Sequence, residues 1–179
     1  MQENRPKYFE AALSDFVFDV AAGGAIRHLV DRGYSVEQMM KELDYPVPRA
    51  KVEKAVYRYM TESGILLSEL PIETETLHIH FLQEKTKERL LEKLVKRLEE
   101  SGEENFYMEC PFGAWMRKDE KKLQQVMSCL TNREQEYILG IRWEHDIMFH
   151  RLNSRMREIA MKLVMHTEEE WRFLYIIKQ

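Results

Sequence analysis

Residues 35–60 read SVEQMMKELDYPVPRAKVEKAVYRYM, and this stretch decides how the N-terminal part of the chain folds. Ser35, followed three residues later by Gln38, forms a capping box, which is the signature of a helix N-terminus. The helix cannot continue through Pro46, because proline lacks the backbone N–H that a helix interior needs. Pro48 is tolerated in the first turn of a helix, so a second helix is expected to begin beside it. The stretch therefore predicts two helices joined by a tight turn.

Helices are also expected on the N-terminal side of this pair. Residues 7–22 carry apolar side chains at helical spacing, which predicts a helix with one solvent-exposed side. The apolar positions expected to be buried are Phe9, Leu13, Phe16, Val17 and Val20. Gly23 and Gly24 are expected to interrupt this helix. A separate short helix then follows and ends at Gly33, which is a good C-terminal cap.

The residues after Gly64 change from helical to strand-like periodicity. The segments ILLSEL (65–70) and TLHIHFL (76–82) are rich in residues that favour strands, and the second alternates apolar with polar side chains. A short loop separates the two segments. They are therefore predicted to pair as a β-hairpin that follows three helices.

Residues 25–82 resemble the winged helix-turn-helix superfamily. The resemblance is carried by AIRHLVDRGYSVEQMMKEL, by the turn DYPVP, and by RAKVEKAVYRYMTESGIL leading into the predicted hairpin. It implies that the second helix of the motif, which begins near Arg49, lies in the major groove of DNA, and that the hairpin forms the wing. Proteins of this fold also serve as protein-binding modules, so the fold alone does not assign a function.

The helix from Arg49 has a definite outer side. If Val52 and Val56 face inward, a turn of about 100° per residue brings three cations and a tyrosine outward, which suits contact with phosphates and base edges. The predicted nucleic-acid-binding residues are Arg49, Lys51, Lys54, Tyr57 and Arg58. Glu53, at the flank of this side, does not fit the pattern. The predicted wing carries glutamates and no lysine or arginine, which also weighs against DNA.

The second half of the chain is predicted to be mainly helical. Residues 84–102 are predicted to form an amphipathic helix that ends at Gly102, and residues 118–130 are predicted to form another. Thr131 with Glu134 is a second capping box, and it opens a helical pattern that runs to about residue 165 unless Gly140 divides it. The inward positions of that pattern are Ile138, Ile141, His145, Met148, Leu152, Met156, Ile159 and Leu163.

Two aromatic segments complete this half. NFYMECPFGAW (105–115) is predicted to be strand-like or irregular, and WRFLYIIK (171–178) favours a strand that could pair with NFYMEC. The chain is thus predicted to be mainly α, of the α+β class. Residues 1–83 would form a winged-helix-like domain with a leading helix. Residues 84–179 would form a helical domain with a long helix at about 132–165 and a few short strands.

Composition limits the classes of function. The 179 residues are 44% hydrophobic and 32% charged, as in an ordinary globular protein, and the net charge of −4 gives the chain no general attraction for nucleic acid. No apolar run approaches the roughly 20 residues that span a bilayer, so no membrane partner is expected. The two cysteines make a disulfide framework implausible, which favours a reducing, cytoplasmic location.

No set of residues predicts catalysis. His78 and His80 point the same way from one strand and could bind a metal, but the sequence positions no third ligand. His145 and His150 lack the spacing of a zinc-protease motif, and His145 is expected to be a hydrogen-bonded core residue. Cys110 has no identifiable partner base and is expected to be structural. The chain is therefore predicted to be no enzyme and to bind no cofactor or metal.

Two functional hypotheses follow from these observations. The first is a DNA-binding transcriptional regulator of winged helix-turn-helix type, which contacts duplex DNA through the helix from Arg49. Its C-terminal helices would form a homodimer or bind a protein partner, because two half-sites multiply the affinity for DNA. The alternative is a non-catalytic protein–protein interaction protein, or adaptor, which the acidic predicted wing and the negative net charge favour.

Overall fold

The computed structural model describes residues 7–44, 46–68, 77–101 and 105–178. These residues contain eight helices and one five-stranded sheet. The chain is 59% helical, so the prediction of the α+β class is confirmed. Two compact units are formed, Met1–Tyr59 and Met60–Gln179. In chain order the elements are α1 (Lys7–Asp31), α2 (Val36–Glu42), α3 (Arg49–Glu62), β1 (Leu66–Leu67), β2 (Leu77–Leu82), α4 (Lys87–Glu100), β3 (Asn105–Cys110), α5 (Phe112–Lys118), α6 (Glu120–Met127), α7 (Asn132–Leu139), β4 (Met148–Arg151), α8 (Ser154–His166) and β5 (Phe173–Lys178).

Helix α1 runs without interruption through Gly23 and Gly24, so the predicted break between two helices is wrong. Two glycines weaken a helix by about 1 kcal/mol each relative to alanine, and packing of the flanking turns can outweigh that cost. The predicted cap at Gly33 is confirmed. Its φ of 76° turns the chain so that the Tyr34 N–H donates to the Leu29 carbonyl at 3.0 Å, next to the bond from the Gly33 N–H to the Val30 carbonyl at 2.8 Å.

The capping box at the start of α2 is confirmed. The Ser35 N–H donates to Gln38 Oε1 at 2.7 Å, and the Gln38 N–H donates to Ser35 Oγ at 3.2 Å. Helix α3 begins at Arg49, directly after Pro48, as predicted. The turn between the two helices and the start of α3 therefore follow from local chemistry alone.

Three of the five α1 positions predicted to be buried are exposed, and the side chains of the other two, Phe9 and Leu13, lie outside the described part of the structure. Phe16, Val17 and Val20 were expected to be buried, yet they are 66%, 55% and 72% exposed. The buried apolar positions of the N-terminal unit, among the described side chains, are Phe18, Ala22, Ile26, Val30, Val36, Met39, Val47, Val52, Val56 and Tyr57. Apolar residues lie on two opposite sides of α1, and spacing alone cannot say which side meets α2 and α3.

The predicted β-hairpin does not form, and this prediction is corrected. The sheet has the order β1-β4-β3-β5-β2, which places the two supposed wing strands at opposite edges. Strand β1 pairs in parallel with β4, and β2 pairs antiparallel with β5, with Ile79 opposite Ile176. The remainder of the predicted hairpin, residues 69–76, lies outside the described residues. Alternating apolar residues predict a strand but do not identify its neighbour.

Strand β3 is the central strand of the sheet. It pairs antiparallel with β4 on one side and with β5 on the other, which confirms the predicted pairing of NFYMEC with the C-terminal strand. Phe106 and Met108 are buried on one side of β3, and Tyr107, on the other side, is also fully buried. Burial on both sides explains why these strands are almost continuously apolar.

The predicted long helix at 132–165 is wrong. Helix α7 ends at Gly140, β4 follows, and a new helix, α8, starts after Asn153. The Asn153 Oδ1 accepts the Met156 N–H at 2.8 Å and so caps α8. The burial predicted for the pattern is nevertheless largely correct, because each short element turns its apolar side to one core. The buried positions of the pattern are Ile138, Met148, Leu152, Met156, Ile159 and Leu163.

A cluster of aromatic rings forms one end of this core. Phe112, at the start of α5, is fully buried, and its ring centroid lies 5.6 Å from Trp115, 5.2 Å from Trp143 and 6.3 Å from Trp171. The segment predicted to be strand-like or irregular is therefore a strand up to Cys110 and a helix from Phe112. All three tryptophans of the chain surround one phenylalanine.

Gly113 lets α5 approach the loop between α7 and β4. A Cβ at this position would lie 2.0 Å from the His145 carbonyl oxygen, a distance that no side chain can adopt. The Ala114 N–H donates to the Asp146 carbonyl at 3.1 Å, which holds the two segments together. The absence of a side chain at Gly113 is thus required by packing.

Replacing Gly113 with alanine is expected to lower the free energy of unfolding by about 3 kcal/mol or more, because the loop carrying His145 would have to move. Urea denaturation followed by tryptophan fluorescence measures this effect directly, since the tryptophans surround Phe112. The control is Gly140→Ala, whose Cβ would lie 3.1 Å from the nearest backbone oxygen and which should cost much less. Equal midpoints for the two variants would contradict the packing argument.

Candidate functional site

The five predicted nucleic-acid-binding residues all lie on α3, but they do not form one exposed face. Lys54 and Arg58 are exposed and lie one helical turn apart. Lys51 is half-buried, and its Nζ donates to Ser14 Oγ at 2.6 Å. Tyr57 was expected to face outward, and this expectation is wrong, because the residue is only 9% exposed.

Arg49 is held by two carboxylates of its own unit. Its Nε lies 2.7 Å from Glu53 Oε1, and its Nη2 lies 2.5 Å from Glu37 Oε1. The hydrogen bonds to Glu53 and Glu37 raise the pKa of the Arg49 guanidinium above its ordinary value. Glu53, which the sequence pattern left unexplained, is 2% exposed and has Arg49 as a counterion. The guanidinium therefore serves first to neutralise a buried charge.

Two further cations of α3, Lys51 and Arg58, also have an acceptor or an acidic neighbour. Arg58 Nη1 lies 3.7 Å from Asp19 Oδ2, and both side chains are about half exposed. The Lys51 Nζ lies 6.0 Å from the centroid of the Phe18 ring, in addition to its bond to Ser14. Such exposed pairs contribute little to stability, but they reduce the positive potential that α3 offers to phosphate.

A second surface, absent from the sequence predictions, lies on α1. We call it the outer face of α1 and define it as Phe16, Val17, Val20 and Gly24, all of which are exposed. These residues fall at helical spacing on one side, opposite the buried side that carries Ala22. The three apolar side chains expose roughly 300 Å² together, which is comparable with the largest apolar patches on monomeric proteins. The available signal was that apolar residues occupy two sides of this helix.

The histidines considered as metal ligands form part of an aromatic stack. The rings of His78 and His80 have centroids 6.4 Å apart, and His80 stacks on Tyr175 with centroids 5.1 Å apart. Within the described part of the chain, no group of three His, Cys, Asp or Glu side chains is placed to hold a metal ion. The stack joins β2 to β5 and contributes to their packing.

Neither cysteine has the environment of a nucleophile. Cys110 is fully buried, and burial raises the pKa of its thiol far above the ordinary value. Burial likewise raises the pKa of Cys129, which is half-buried. A thiolate is the reactive form of cysteine, so both thiols are poor nucleophiles at neutral pH.

A polar network that the sequence did not predict connects α7, β4 and α8. The His150 Nδ1 donates to the Arg151 carbonyl at 2.7 Å, and its Nε2 faces Tyr137. Tyr137 OH lies 3.1 Å from that Nε2 and accepts a hydrogen bond from Asn153 Nδ2 at 3.2 Å. His145, predicted to be hydrogen-bonded, has its Nε2 3.1 Å from the Ser63 carbonyl oxygen. Both histidines bond to the backbone of the unit that contains them.

Comparison with known proteins gives no relative: no family model, no curated protein and no solved structure matches the chain. Among the described residues, none of the helices is both long enough and apolar enough to span a bilayer.

Replacing Arg49 with methionine is expected to destabilise the N-terminal unit by about 2 kcal/mol, because the buried carboxylate of Glu53 loses a counterion. Urea denaturation followed by circular dichroism gives the change. Lys54→Met on the same helix is the control and should alter stability by no more than about 0.5 kcal/mol. If both variants unfold at the wild-type urea concentration, Arg49 has no structural role.

Proposed function

We propose that the chain is a non-catalytic protein–protein interaction protein, and that it binds a protein partner through the outer face of α1. The observation that carries the proposal is the exposure of Phe16, Val17 and Val20, at 66%, 55% and 72%. A helix that is apolar on two opposite sides is ordinarily covered on both, and burial of the second side gains about 25 cal/mol for each Å². A partner protein supplies that cover.

The electrostatics of α3 favour a protein partner over nucleic acid. Arg49 neutralises Glu53 and also contacts Glu37, and Arg58 lies beside Asp19. The whole chain has a net charge of −4, so it repels the DNA backbone at long range. An apolar surface carries no such penalty, because burial of apolar groups does not depend on net charge.

The proposal includes a cytoplasmic location. Cys110 and Cys129 are both free thiols, a state typical of reducing compartments.

Photo-crosslinking in cells tests the main proposal. The photoreactive amino acid p-benzoyl-phenylalanine is placed at position 16 or 20, and at the exposed Lys41 on α2 as a control. We expect a discrete cross-linked product from positions 16 and 20 and none from position 41. The product from position 20 should be lost when Val17 is changed to lysine, because a charge at this position opposes apolar burial. Equal labelling at all three positions, or none, would overturn the proposal.

Binding of duplex DNA is a second candidate, and one observation favours it. Lys54 and Arg58 are exposed one turn apart on α3, which follows the capped helix α2 in the order of a helix-turn-helix. Two cations so placed suit contact with successive phosphates. In this candidate the winged-helix resemblance is kept for the helices, and the chain acts as a transcriptional regulator.

A salt titration of binding to random duplex DNA tests the second candidate. If α3 binds phosphate, affinity should fall steeply with salt, and Lys54→Glu with Arg58→Glu should abolish it at unchanged circular dichroism. The matched control is Lys121→Glu with Arg133→Glu, which changes the same charge at two exposed sites elsewhere and should retain binding. No binding by the wild type at about 50 mM salt would remove DNA from consideration.

A further inference from the structure

Gly23 and Gly24 have no evident role within the described chain. Both lie inside α1, and neither is among the glycines with positive φ, which are Gly33 and Gly64. A Cβ at either position would meet no heavy atom within 4 Å. Neither backbone conformation nor packing therefore calls for glycine, although glycine in a helix costs about 1 kcal/mol relative to alanine. What the two positions do provide is room for another backbone or a large side chain to approach α1.

The room lies on the same side of the helix as the exposed apolar residues. Phe16, Val20 and Gly24 are each four residues apart, so they follow one another along the outer face at a rise of about 6 Å per step. Phe16, with a bulky side chain, thus lies four residues before Val20, and Gly24, with no side chain, lies four residues after it. A surface with a projection and a recess equally spaced about a centre is complementary to itself under a two-fold rotation.

We propose that the occupant of the outer face is a second copy of this chain, with two α1 helices packed antiparallel about a two-fold axis at Val20. The inference rests on the proposed function and names its partner. Phe16 of each copy then packs over Gly24 of the other, and the two Val20 side chains meet at the axis. A parallel pair would instead oppose Phe16 to Phe16 and leave a void between the glycines.

The dipoles of the two α1 helices favour the same antiparallel arrangement, because the positive N-terminal end of each helix then lies beside the negative C-terminal end of the other.

The small area of the outer face predicts a weak dimer. The side chains of Phe16, Val17 and Val20 contribute about 600 Å² over two copies, below the roughly 1,200 Å² of stable interfaces. A dissociation constant on the order of 10 µM is therefore expected, and sedimentation velocity from about 1 to 200 µM would show monomer changing to dimer. Gly24→Leu should abolish the dimer because it fills the recess, while the melting temperature of the monomer stays unchanged or rises. Association caused by general apolar adhesion would instead become stronger in this variant.

Disulfide crosslinking fixes the register of the two helices. In a Cys129→Ser background, with Cys110 buried, Val20→Cys should form a covalent dimer on mild oxidation, because the axis brings the two thiols together. Phe16→Cys alone should crosslink poorly, but its mixture with Gly24→Cys should crosslink well. Efficient Phe16→Cys homodimers, with no product in the mixture, would overturn the antiparallel arrangement.

The same measurements separate failure of the inference from failure of the proposed function. One outcome is a wild-type chain that stays monomeric at 200 µM but gives a photo-crosslinked product from position 16 whose mass is not twice that of the chain. This outcome would overturn the second copy as the occupant of the outer face and would leave the proposed protein-interaction function in place. A monomeric chain with no photo-crosslinked product would overturn both. A product of twice the mass, with the predicted disulfides, supports both.

Discussion

The pairing of β3 with strands on both sides is the interaction on which the C-terminal unit depends. Its partners β4 and β5 lie about 40 and 70 residues later in the chain, so the sheet forms only when long loops close. A single residue, Pro111, connects this strand to the aromatic cluster, because Phe112 begins α5 directly after it. The position of Phe112 brings the three tryptophans together, and Gly113 lets α5 pack against the loop that follows α7. The packing of this unit is therefore determined more by which strands are neighbours in the sheet than by which elements are consecutive in the chain.

The N-terminal unit is organised by a buried charge. Glu53 faces the interior of three packed helices, and Arg49, one turn earlier on α3, provides a counterion while also bonding Glu37 on α2. This arrangement ties the two helices across the turn with the two prolines. It also uses a cation that a DNA-binding helix would present to phosphate, which lowers the positive potential of α3. The outer face of α1 is then the part of this unit whose composition the intramolecular contacts do not explain.

The candidate site was predicted only in part. Lys54 and Arg58 are exposed as the spacing of α3 indicated, because a helix with two valines buried four residues apart has a defined outer side. Tyr57 was assigned to the wrong side because a helix packed against two neighbours buries more than a narrow stripe. The sequence carries apolar residues on two sides of α1, but it does not show which side is exposed. Phe16 and Phe18 lie on different sides of one helix, and residue type and spacing do not show which of them packs against the rest of the protein.

By itself the sequence determined the local features: the capping boxes at Ser35 and Thr131, the glycine cap at Gly33 and the start of α3 after Pro48. Each of these features depends on hydrogen bonds or steric limits within a few residues, so a short segment of sequence is enough to specify it. Only the tertiary structure decided which strands pair, why the pattern at 132–165 is two helices and a strand, and which side of α1 is exposed. Those outcomes are set by contacts between residues far apart in the chain, where the free energy of burial and long-range pairing outweighs local preference.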